Sequence, residues 1–246
     1  MGNSVNKGIA EIRNIALFYD LVKRMTERSD SLPGLGGLYG PSGFGKSFAA
    51  NYVANKLGAY YVQVKSTYSK KSFLQAVLRE MSIPEPKTIN DMMETVAGEL
   101  AKTNKPLIID EFDYLVEGNK VEIVRDIYEA SQGTILIIGE ELLPKKLEKW
   151  ERFHGRVHHW AGAEPTNLND CRLLKDVYAT DIDIEDAVLE MLIAAVKGST
   201  RRVSSNLENL CELALEQGED SVNLNNLKSI LPHGFITGES PKPRSF

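Results

Sequence analysis

Gly40-Pro41-Ser42-Gly43-Phe44-Gly45-Lys46-Ser47 is the stretch on which the fold turns. It fits G-x-x-x-x-G-K-[ST], the pattern of a phosphate-binding loop. A chain that curls round a polyphosphate must point several backbone N–H groups inward, and Gly40, Gly43 and Gly45 allow the dihedrals this needs. Lys46 brings a point charge for the β- and γ-phosphates, and the Ser47 hydroxyl brings a ligand for Mg²⁺. Residues 35–39 before the loop read as a short buried strand. Residues 48–57 after it read as a helix that opens at Lys46 and stops at Gly58. The N-terminal dipole of that helix then faces the anion. Strand, loop and helix together are the context the motif requires, so the segment from Gly40 to Ser47, with Phe48 beside it, is read as a nucleotide site.

Leu107-Ile108-Ile109-Asp110-Glu111 is the second decisive stretch. Three bulky apolar residues make a strand buried on both faces, as in a parallel sheet. Two acids follow at its carboxyl end, where ligands gather in open α/β sheets. Asp110 is placed to hold Mg²⁺ together with Ser47, and Glu111 to polarise an attacking water.

The other elements read in alternation. Residues 9–28 carry apolar side chains at helical spacing. Strands are expected at 60–64, 134–139 and 157–160. Helices are expected at 73–81, from a capping-box-like Thr88-Ile89-Asn90-Asp91 to about Lys102, at 120–131 and at 143–150. Alternation of this kind predicts a doubly wound parallel sheet. After Gly162-Ala163-Glu164-Pro165 the patterns are helical only: 171–178, 184–196, 202–216 and 224–231. The expected organisation is an N-terminal helix packed on the core (1–29), a nucleotide-binding α/β domain (30–163), a small all-α lid domain (164–231) and a flexible tail (232–246).

Composition narrows the classes. The 246 residues carry a net charge of −5, which excludes coating of nucleic acid by bulk charge but not a local basic patch. No apolar run reaches the length of a membrane span, and no secretory signal opens the chain. Gly2 offers a single weak match to a myristoylation site, which is set aside. Two cysteines far apart, Cys171 and Cys211, point to a reducing, cytoplasmic setting. His154, His158 and His159 lack a Cys or a spaced acid to complete a metal set.

With these residues in view, the chain resembles an AAA+ ATPase over about residues 9–231. The resemblance rests on the phosphate loop, Leu107 to Glu111, a further strand with a polar end, an Arg before a short strand, and Gly198-Ser199-Thr200-Arg201-Arg202 in the helical part. Ile137-Ile138-Gly139-Glu140-Glu141-Leu142 and Trp150-Glu151-Arg152-Phe153-His154-Gly155-Arg156 are more particular. They resemble the transposition helper ATPases, the phage Mu-type transposition protein B and its relatives. That resemblance implies a P-loop AAA+ fold with a helical lid, ATP and Mg²⁺ as cofactors, and binding to double-stranded DNA in the ATP state. It also implies self-association into a ring or helical filament, and delivery of target DNA to a transposase. Glu140 falls at the sensor-1 position, which in the family holds a neutral donor; an ionised Glu only accepts. Arg152 falls where such proteins reach into a neighbour's site, with Arg156 as the fallback, and Arg201 falls at sensor 2. Lys65, Lys70 and Lys71, then Lys145, Lys146 and Lys149, are the two candidate DNA-facing clusters. Three rivals stay open: an AAA+ ATPase acting on a protein client without DNA, a nucleotide-dependent scaffold with little turnover, and a metabolic P-loop kinase.

Overall fold

The computed structural model describes residues 8–238; the expected tail beyond 238 and Gly2 lie outside the described residues. Helix α1 (Arg13–Thr26) buries Ile15, Phe18, Leu21, Val22 and Met25, the stripe its helical spacing draws. There follow β1 (Leu35–Tyr39), α2 (Lys46–Leu57), β2 (Tyr60–Gln63), α3 (Lys70–Glu80), α4 (Ile89–Thr103) and β3 (Leu107–Asp110). Then come α5 (Asp113–Glu117), α6 (Val121–Ser131), β4 (Ile135–Gly139), α7 (Leu143–Leu147), α8 (Glu151–His154) and β5 (Val157–Gly162). The strands form one parallel sheet in the order β2-β3-β4-β1-β5. Every residue of β3 and β4 is buried, which is why both read as unbroken apolar runs. Tyr39 stands opposite Gly139 and Ile109 opposite Ile137, so β1, β3 and β4 end level with one another.

Caps account for most boundary differences. Helix α3 starts at Lys70, ahead of its apolar run, because Ser69 and Ser72 form a reciprocal capping box. Thr88 caps α4 by accepting from the Asp91 N–H at 3.1 Å. Gln132, with φ +51°, makes the left-handed turn that ends α6, ahead of the expected stop at Gly133. The helix expected over 143–150 is two short pieces, α7 and α8. The second is pinned by Phe153, which is fully buried and stacks on Phe112 at 5.5 Å between ring centres.

Residues 14–42 and 46–163 form one compact unit; residues 8–13, 43–45 and 164–238 form another. The second holds α9 (Leu168–Tyr178), β6 (Asp183–Ile184), α10 (Asp186–Ala195), α11 (Thr200–Glu216), β7 (Ser221–Val222) and α12 (Leu227–Ile230). Here the all-helical expectation is corrected. Ile184 and Val222, both buried and β-branched, pair in a two-residue parallel ladder. Asp183 therefore serves the ladder, and α10 begins only at Asp186. The same unit is tied by a buried carboxylate, Asp170. It completes a capping box with Asn167 and accepts from the Arg13 backbone N–H at 2.8 Å and Arg13 Nε at 3.1 Å.

Phe153→Ala should cost about 3–5 kcal/mol in urea unfolding, since the surrounding core collapses only partly around an emptied aromatic site.

Candidate functional site

Gly43 and Gly45 take φ +85° and +78°, values that a side chain would strain, and they turn the loop into the start of α2. The Lys46 ammonium donates to the carbonyls of Gly40 at 2.7 Å and Pro41 at 2.9 Å, so it lies folded over the loop. Burial lowers its pKa, and the charges of Asp110, Glu111, Asp113 and Glu140 oppose that fall. Within the helical unit, the Arg201 N–H donates to the Gly43 carbonyl at 2.9 Å. The Arg201 side chain is exposed.

Asp110 is buried at the end of β3. One carboxylate oxygen accepts from the Tyr61 hydroxyl and the other from the Glu111 N–H, both at 2.8 Å. Glu111 then takes φ +55°, a left-handed conformation worth about 1–2 kcal/mol of strain in a residue with a side chain. Its neighbours hold it there: the Phe112 N–H donates to the Ile138 carbonyl on β4 at 2.8 Å. The Glu111 carboxyl pKa is raised, first by burial and then by the Asp110 charge, with Lys46 opposing.

Glu140 follows β4, beside the end of β1 in the register. Its backbone N–H donates to Asp113 Oδ2 at 2.7 Å, while its side chain is largely exposed. Lys146 was expected in a solvent-facing basic cluster, but its ammonium instead faces Asp113 at 2.8 Å, Glu117 at 3.2 Å and Glu140 at 3.6 Å. Lys145 on the same helix and Lys149 just after it are exposed, as are Lys65, Lys70 and Lys71. The loop between β2 and α3 is anchored at Tyr68, which packs on the core and accepts from Lys120 at 2.5 Å through its carbonyl. Arg152 is exposed and has no ion pair or hydrogen bond among the described residues, whereas Arg156 lies 3.3 Å from Glu129. The structure thus gathers Lys46, Asp110, Glu111 and Glu140 at one edge of the sheet, and turns Arg152 outward. His159 lies 3.3 Å from Arg24 on the edge strand β5.

Tyr61, Asp113 and the ion pairs of Lys146 escaped the sequence reading. Tyr61 had one usable signal: it alternates with Gln63, which pairs with Asp110 in the register, so its side chain shares that face.

The donors fit a Mg²⁺ ion. Ser47 and Asp110 are hard oxygen ligands, and Asp110 keeps lone pairs beyond the two hydrogen bonds it accepts.

Fold and site together have the AAA+ P-loop architecture. Residues 29–147 match the family model of the AAA domain. Among solved structures, the chain is similar to the ORC2 protein of Aeropyrum pernix in its ADPNP-ADP complexes. There the TM-score is 0.70 and identity 15%, over 94% of this chain and 70% of that one. It is also similar to the ORC1 protein of the same organism in complex with DNA, with TM-score 0.62 and identity 17%, over 94% and 67% of the two chains. For the RuvB Holliday junction branch migration motor of Thermotoga maritima the TM-score is 0.58 and identity 17%, over 89% and 68%. No curated protein matches the sequence. Similarity at this identity defines the AAA+ fold, and the more particular likeness to the Mu-type transposition proteins finds no match. No helix among the described residues is long and apolar enough to cross a membrane.

A carboxyl whose pKa is raised by folding stabilises the fold fully below its unfolded pKa and loses that contribution as pH rises through its folded pKa. Glu111→Gln should therefore raise the melting temperature at neutral pH. In a pH series the gain should shrink to nothing as acid protonates the wild-type carboxyl.

Proposed function

We propose that the chain is an ATP-dependent, DNA-binding AAA+ ATPase that assembles on double-stranded DNA and delivers target DNA to a transposase or activates it. The observation that carries the ATPase reading is the level ending of β1, β3 and β4, which brings Lys46, Asp110 and Glu111 to one edge. Lys46 leaves the loop carbonyls for the β- and γ-phosphates, to which its charge is better matched. Asp110, held by Tyr61, and Ser47 would hold Mg²⁺, which would neutralise charge on the phosphate oxygens. Glu111 accepts a hydrogen bond from water and aims it at the γ-phosphorus. The new P–O bond forms as the bond to the β–γ bridging oxygen breaks, and the water proton leaves with the phosphate. Arg201, whose backbone holds the loop at Gly43, is proposed to sense bound phosphate.

Self-association follows from Arg152. An exposed arginine without an internal partner is available to a neighbour's nucleotide, and Arg156, already paired with Glu129, is not. The DNA reading is supported by exposed Lys65, Lys70, Lys71, Lys145 and Lys149, and by similar structures described as in complex with or bound to DNA. Repetition of a small patch along a polymer suits a chain of net charge −5, since each neutralised phosphate releases counterions and the effects add. The transposase is proposed on the motif resemblance around Glu140 and Arg152.

Binding to random-sequence double-stranded DNA with ATP, ADP or no nucleotide, at two salt concentrations, tests the reading. Cooperative binding confined to ATP and steeply weakened by salt is expected; absence of binding in every state at low salt would overturn it. Arg152→Ala should keep ATP binding but lower turnover by about 10³-fold or more, with Arg156→Ala near wild type in the same steady-state assay. Glu111→Gln should lower turnover by at least about 10²-fold.

A further inference from the structure

Lys146 belongs to the nucleotide edge rather than to a nucleic-acid surface. Its ammonium reaches three carboxylates from two parts of the chain: Asp113 and Glu117 at the two ends of α5, and Glu140 after β4. Asp113 is the pivot. Its side chain is 6% exposed, and its second oxygen receives the Glu140 N–H. Any side chain at Gly139 would collide with that oxygen, so the carboxylate lies flush against the β4 backbone. Asp113 is also only two residues beyond Glu111 and its left-handed turn. A buried carboxylate bound on both oxygens holds whatever carries it, and losing its cation would leave the charge uncompensated.

The charge around this pivot matters as much as the geometry. Asp110, Glu111, Asp113 and Glu140 all act on Lys46. A nucleotide polyphosphate adds more negative charge at the same edge. Lys146 is the second ammonium here, kept protonated above all by its hydrogen bond to Asp113.

We infer that Lys146 is a positioning residue of the nucleotide site: through Asp113 it fixes the Glu111 turn against the end of β4, and by pairing Glu140 it offsets the negative charge that the phosphates must approach. The inference rests on the ATP-site reading and deepens it. It separates Lys146 in function from Lys145 on the same helix and from Lys149 just beyond it.

The test is a double-mutant cycle on the full chain. Affinity for a fluorescent ATP analogue is measured with Mg²⁺ and with chelator, alongside turnover, for wild type, K146M, E140Q and K146M/E140Q. K146M should weaken nucleotide binding about tenfold in low salt, the order expected of one charge acting across a partly screened site. E140Q alone should tighten binding, and in the double variant it should recover most of the loss. K146R should stay near wild type, and turnover at saturating ATP should fall further in K146M than in the double variant. K146M that binds and turns over ATP like wild type would overturn the inference and leave the ATP reading intact. Wild type that binds no nucleotide would overturn both. Should K146M fail to fold, E140Q decides, because Glu140 is exposed: unchanged affinity in low salt overturns the charge argument.

Discussion

Like charges crowd the one ammonium of the phosphate loop, and much of the site's architecture answers to that crowding. Four carboxylates, those of Asp110, Glu111, Asp113 and Glu140, bear on Lys46 at the carboxyl edge of the sheet. Each is handled differently. Asp110 is buried but accepts a hydroxyl and a backbone N–H. Asp113 is buried but accepts Lys146 and a backbone N–H. Glu140 keeps its carboxylate largely in water. Glu111 has none of these reliefs, and its pKa rises accordingly. An acid left poorly stabilised next to a fixed neighbour is suited to accept a proton or polarise a water.

The strain at Glu111 belongs with the same design. A left-handed residue persists only where the structure on either side over-determines it. Before it, Asp110 is locked by Tyr61; after it, Phe112 is tied to β4 by a hydrogen bond and packed on Phe153, and Asp113 is clamped to Glu140 and Lys146. The turn is therefore held on both sides by side chains distant in sequence.

That distance explains what could be read beforehand. The phosphate loop and Leu107 to Glu111 were legible because a few adjacent residues carry each feature. The alternation of strand and helix was legible because buried parallel strands have a simple apolar signature. The Lys146–Asp113 pair joins residues 33 apart and the Tyr61–Asp110 bond residues 49 apart, and neither leaves a periodic trace. Lys146 was read with Lys145 and Lys149 because charge runs on a short helix look alike until the partner elements are placed. The β6–β7 ladder was missed for a related reason: two residues per strand are too few to alternate, and the pairing bridges 38 residues.

Arg152 carries the remaining argument. Within α8 the sequence Arg152-Phe153 turns one side chain to solvent and the next into the core, so the arginine's place on the surface is set by the burial of its neighbour. Arg156, a turn further on, is held by Glu129. The burial of Phe153 seats the backbone that carries this guanidinium, so the freedom given up when it meets an anion is that of the side chain, not of the chain around it. The same seat rests on Phe112, the residue directly after Glu111. The group proposed to reach a neighbour's nucleotide and the group proposed to act on the chain's own nucleotide thus share one aromatic contact.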